Sequence, residues 1–127
     1  MSKVSFDFDD TICGDGLHVA HIQQIMHNHI KAGDDVIVLT ARHPLHDTRE
    51  WRDVYQPHRI SVHEHLIALG VTLQVVYTSH TPKGPHAARL GVNLHYDNDP
   101  LEIDSCRVCG VMAVPVGDGH ILDRLSD

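Results

Sequence analysis

The sequence predicts an α/β fold: a doubly wound parallel sheet of about five strands, with helices on both faces. Three observations carry this reading. Short, near-continuous apolar runs such as Val36-Ile37-Val38-Leu39 suit strands that are buried on both sides. Amphipathic stretches separate these runs. In the first, Leu17, Ala20, Ile22, Ile25, Met26 and Ile30 fall on one broad helical stripe. Glycines at 33, 70 and 91 stand where the helical patterns stop. Strands that alternate with helices in this way build a parallel sheet.

Taken in order, the first strand is expected over Lys3–Phe8, followed by a loop over Asp9–Gly16 with Gly14 and Gly16 as turn residues. A helix follows over Leu17–Ala32, then a strand over Asp35–Leu39. Two helices are expected over His46–Tyr55 and Arg59–Leu69, broken by Pro57 and ended by Gly70. A third strand covers Thr72–Tyr77, and a helix covers Pro82–Leu90. A fourth strand, Asn93–Tyr96, a short helix, Pro100–Cys109, and a fifth strand, Val111–Val116, complete the pattern. The tail from Gly117 is short and polar. No repeat, linker or low-complexity stretch divides the chain, so residues 1–127 are expected to form one domain.

The formal charge is −7, which argues against a broad nucleic-acid-binding surface. A nucleic-acid end as substrate remains compatible with it. No apolar run approaches the length of a membrane helix. The N-terminus enters a strand with no basic region or apolar signal core, so the expectation is a cytoplasmic protein. Three cysteines, Cys13, Cys106 and Cys109, suggest free thiols. Cys106-Arg107-Val108-Cys109 has zinc-knuckle spacing but no second such pair, so a reduced, partly buried pair is expected there.

The chemistry starts at Asp7-Phe8-Asp9-Asp10-Thr11, where an apolar strand runs into three carboxylates and a hydroxyl. Strand alternation points Asp7 and Asp9 the same way. Carboxylates that close together need a cation or a proton. Further along, Thr40 ends a strand, Lys83 sits at a helix start, and Asp97-Asn98-Asp99 follows another strand. In an open parallel sheet the carboxyl ends of the strands share one crevice.

This order resembles the haloacid dehalogenase-like (HAD) superfamily, over about residues 3–116. Asp7, Asp9 and Thr11 match its Asp-x-Asp-x-Thr motif, and Thr40, Lys83 and Asp97 match its three later motifs. The resemblance implies a Rossmann-like sheet and a Mg²⁺-dependent phosphatase. Asp7 would be the nucleophile and form an aspartyl-phosphate. Asp9 would be the general acid and base. Thr40 would hold a phosphoryl oxygen, and Lys83 would neutralise the phosphate and Asp7 together. The metal ligands would be the Asp7 and Asp97 side chains and the Asp9 carbonyl, with Asn98 ligating or orienting a water. Because the second aspartate is present, phosphate chemistry is favoured over carbon–halogen cleavage. The gaps of 28 residues from Thr11 to Thr40 and 42 from Thr40 to Lys83 leave no room for a cap domain.

Thr11 and Arg42, in Thr40-Ala41-Arg42, are candidate substrate-binding residues, Arg42 through a fork-shaped phosphate contact. His18 and His43 are candidates to line the substrate entrance. The chain departs from the family pattern at Asp10, where glycine is common, and at Asn98, where a second acid is common. Asp99 either reaches the site or caps the helix that begins at Pro100. Two rival readings are a response-regulator receiver domain, with Asp47 or Asp53 as its mid-chain acceptor, and a non-catalytic metal-binding module.

Overall fold

The computed structural model describes residues 2–47 and 60–117. Five strands form one all-parallel sheet: β1 (Lys3–Phe6), β2 (Asp35–Thr40), β3 (Gln74–Tyr77), β4 (Leu94–Asp97) and β5 (Met112–Pro115). Among the described residues, four α-helices connect them: α1 (Leu17–Lys31), α2 (Val62–Ala68), α3 (Lys83–Leu90) and α4 (Pro100–Val108). A single 3₁₀ turn, Pro44–His46, follows β2.

The sheet order is β3-β2-β1-β4-β5. The chain winds outward from β1 through β2 to β3, then crosses back to β4 beside β1 and winds outward again. The order therefore reverses at β1, and the crevice at such a reversal is where open α/β sheets bind ligands. A receiver domain has the order 2-1-3-4-5 instead. The observed order overturns that rival reading of the sequence.

Alternation along β2 shows why the sheet is covered twice. Val36 and Val38 join a core with Val4, Phe6, Ile22, Met26, Val62 and Leu66, under α1 and α2. Ile37 and Leu39 join the opposite core with Ala87, Ile103, Cys106 and Ala113, under α3 and α4. Both faces of the strand are apolar because both are buried.

Helix ends follow local chemistry. Ser61 caps α2 by accepting from Glu64 N at 3.1 Å, which moves the expected start from Arg59 to Val62. Asp99 caps α4 by accepting from Leu101 N at 2.9 Å, with Pro100 as the first helical residue. Gly91 closes α3 in the left-handed conformation, at φ 75°. The first strand is shorter than expected, ending at Phe6 rather than Phe8. The Phe8 carbonyl turns away to accept from the amides of Thr11, Ile12 and Cys13 at 3.1–3.2 Å. A 3₁₀ turn covers Pro44–His46, and the helix expected over His46–Tyr55 lies, from residue 48 on, outside the described residues. Cys13, Cys106 and Cys109 are free thiols. Among the described residues, no helix is long and apolar enough to cross a membrane.

Candidate active site

Strands β1 and β4 are neighbours, and each delivers an aspartate at its carboxyl end. Asp7 follows β1, its amide still bonded to the Tyr96 carbonyl at 2.9 Å, and Asp97 closes β4. Helix α3 begins with Lys83, whose side chain is almost wholly buried between them. Its Nζ lies 2.6 Å from Asp7 Oδ1 and 2.7 Å from Asp97 Oδ2. One ammonium thus serves two buried carboxylates, and the cluster carries one negative charge too many.

The protonation equilibria follow from that shortage. Burial raises Asp7 from its ordinary 3.8 to about 7, against the opposing pull of Lys83, and the charge of Asp97 raises it further. Burial also opposes the charge on Asp97, but the hydrogen bond from His95 and the charge of Lys83 outweigh it and hold Asp97 at about 2. Burial disfavours the Lys83 ammonium, yet the two carboxylates more than offset this and raise its pKa.

Beneath the pair runs a buried polar chain. His95 Nε2 lies 2.8 Å from Asp97 Oδ2, and His95 Nδ1 lies 2.6 Å from Ser5 Oγ. If Nε2 donates to the carboxylate, Nδ1 accepts from the Ser5 hydroxyl, which fixes one tautomer. Thr11 Oγ1 donates to Asp7 Oδ2 at 3.0 Å. The hydroxyl therefore orients the aspartate and is buried, away from any substrate.

Asp9 and Asn98 complete the cluster. The Asn98 amide faces the Asp9 carbonyl and Asp7 Oδ2. Oriented to donate, its nitrogen lies 3.2 Å from the first and 2.8 Å from the second. Asp97 Oδ1 accepts from Asp99 N at 3.0 Å. Among the described residues, no three His, Cys, Asp or Glu side chains converge to hold a metal by themselves. The expected set draws instead on two carboxylates and one carbonyl, with the Asn98 amide nitrogen bonded to that carbonyl and to Asp7. Two observations fit a magnesium ion here: the donors are all hard oxygens, and the buried cluster lacks positive charge. The cleft they border has a volume of about 390 Å³ and is also lined by Asp10, Ala41, Pro100 and Glu102.

Several expected site residues stand elsewhere. Arg42 is not an open arm for phosphate. Its Nε and Nη2 grip both oxygens of Asp9 at 2.9 and 2.7 Å, and its Nη1 reaches Asp47 Oδ1 at 2.9 Å and the Ile60 carbonyl at 2.7 Å. Its guanidinium carbon lies 4.7 Å above the Phe8 ring. Thr40 Oγ1 is fully buried and accepts from Arg42 N at 3.3 Å, so Ala41 rather than Thr40 lines the cleft. His18 Nε2 lies 2.5 Å from the Asp10 carbonyl and braces the loop after β1. His43 Nδ1 accepts from Leu45 N at 3.1 Å and caps the 3₁₀ turn. Neither histidine lines the cleft. The Asp99 side chain caps α4, and the residue also lines the cleft.

Some participants escaped the sequence reading. His95 sits two residues before Asp97 on the same strand, so period-two alternation places both side chains on one face, and that signal was available. Asp47 accepts from Arg42, from the Tyr77 hydroxyl at 2.6 Å and from Val62 N at 3.1 Å. It ties β2, β3 and α2 together, and no local pattern announces this. Asp10 adopts φ 61°, a left-handed position that explains why glycine would also fit there.

Comparison of the chain with protein-family models, with curated proteins and with solved structures finds no match.

Proposed function

We propose that the chain is a magnesium-dependent phosphomonoesterase that works through a covalent phosphate on Asp7. The observation that carries this reading is the buried Asp7–Lys83–Asp97 cluster at the sheet reversal, open to a cleft of about 390 Å³. The order of motifs, which resembles the HAD superfamily, supports it as well.

Asp7 attacks phosphorus, and the bond from phosphorus to the leaving oxygen breaks. Asp9 gives that oxygen a proton. Asp9 then takes a proton from water as the water oxygen attacks phosphorus, and the bond to Asp7 breaks to free phosphate. Because Arg42 holds both Asp9 oxygens, one of these contacts must open for Asp9 to reach the leaving group. Lys83 opposes protonation of Asp7 and orients it, while His95 and Ser5 keep Asp97 in place. A magnesium ion, held by Asp7, Asp97 and the Asp9 carbonyl with Asn98 beside them, would offset the charge of the phosphate.

The test is release of phosphate from para-nitrophenyl phosphate. Wild-type protein with magnesium should turn over continuously, chelator should stop it, and Asp7→Asn should be inactive with an unchanged circular dichroism spectrum. Near-normal turnover by Asp7→Asn would place the nucleophile elsewhere.

A further inference from the structure

A second cleft, of about 470 Å³, adjoins the phosphate cleft and shares Ala41, Asp99 and Glu102 with it. Its apolar wall is Pro82, Leu101 and Val108. Leu101 and Val108 are 76% and 86% exposed, so both leave apolar surface uncovered at the cleft. Its acidic side is Asp99, Glu102 and Asp104, His80 also borders it, and no lysine or arginine lines it among the described residues. Glu102 is fixed at the junction of the two clefts, where its Oε1 accepts from Lys83 N at 3.4 Å.

An ester bound with its phosphorus at Asp7 must place its alcohol somewhere, and among the described residues the adjoining cleft offers space for it. We propose, building on the phosphatase reading, that this cleft holds the alcohol half of the substrate and that this half is partly apolar and cationic. The substrate class is then a small amino-alcohol phosphate. Two features point to it: a cavity with an aliphatic wall that adjoins the reaction centre, and an acidic rim that no lysine or arginine lines among the described residues. A hydrocarbon stem would cover Leu101 and Val108 while an ammonium met the carboxylates. A polynucleotide end would bring further phosphates against the same carboxylates, which costs binding.

The test compares kcat/KM for aminohexyl, hexyl and carboxypentyl phosphate and for an oligonucleotide with a terminal phosphate. It is run with magnesium at low salt and mildly alkaline pH, where an ordinary histidine is neutral. The ammonium ester should exceed the carboxylate ester by about tenfold, and the gap should shrink as salt is added. Asp104→Lys, a change at an exposed position, should remove most of that preference. Equal kcat/KM across the alkyl series, or a preference for the oligonucleotide, would overturn the substrate class while leaving a phosphatase. No hydrolysis of any ester, para-nitrophenyl phosphate included, would overturn the phosphatase reading and this one with it.

Discussion

At Asp7 a single lysine must serve two buried carboxylates, and stability should report the shortage. The folded pKa of about 7 lies above the ordinary 3.8, so the folded state holds the Asp7 proton more tightly. The stability this contributes is complete below about pH 4 and lost as pH rises through about 7. Asp7→Asn has no proton to lose. Without divalent cations, its stability relative to wild type should therefore climb across that window, by about 1–4 kcal/mol in total. Chemical denaturation of both proteins at several pH values checks this, and a constant difference would mean Asp7 is not strained by its charge. Arg42 gives a second prediction at this scale. With Arg42→Ala, Asp9 and the buried Asp47 lose their shared cation, and removing one partner of a buried pair costs about 3–5 kcal/mol. Arg42→Lys should recover only part of the loss, because an ammonium cannot grip both Asp9 oxygens as a fork does. Denaturation midpoints for the two variants decide the matter.

Among the elements, α3 and α4 pack against each other closely at Gly84. A Cβ there would lie 2.2 Å from the Ser105 carbonyl oxygen and 2.6 Å from Ser105 Oγ, while Gly84 N donates to that hydroxyl at 3.0 Å. Gly84→Ala must push α4 away and should cost about 1–3 kcal/mol. It should also disturb Lys83, its neighbour, so urea denaturation and turnover should fall together. Elements of this kind divide what sequence can reveal from what it cannot. The strands and α1, α3 and α4 were legible to within two residues, because apolar runs and glycine stops are local signals. The start of α2 was misplaced, although Ser61-Val62-His63-Glu64 has the spacing of a capping box. The end of β1 was misplaced too, since only the folded loop shows the Phe8 carbonyl collecting three amides. Thr40 bonds the Arg42 amide two residues on, whereas the Arg42 side chain finds Asp9 and Ile60, 33 and 18 residues away, as well as Asp47, and only the fold brings these together. His18 and His43 were drawn toward the cleft by closeness in sequence alone.

Across the whole molecule, the doubly wound sheet brings Asp7, Lys83 and Asp97 together from three separate segments, and the buried cluster they form lacks positive charge. A cation that binds the folded state alone stabilises it by mass action. Magnesium should therefore raise the melting temperature of wild type but not of the Asp7→Asn, Asp97→Asn double variant, and calorimetry should show the same contrast in binding. In the proposed mechanism, phosphate passes through a covalent bond to Asp7. Its most direct test uses Asp9→Asn, in which the water that cleaves the intermediate loses its base, while a good leaving group still departs unaided. The variant is mixed with para-nitrophenyl phosphate and magnesium, quenched in acid, digested and examined by mass spectrometry. The predicted result is one added phosphate on the peptide that contains Asp7, absent from Asp7→Asn treated in the same way. Phosphate on another residue, or unmodified Asp7 in a variant that still turns over, would contradict the account.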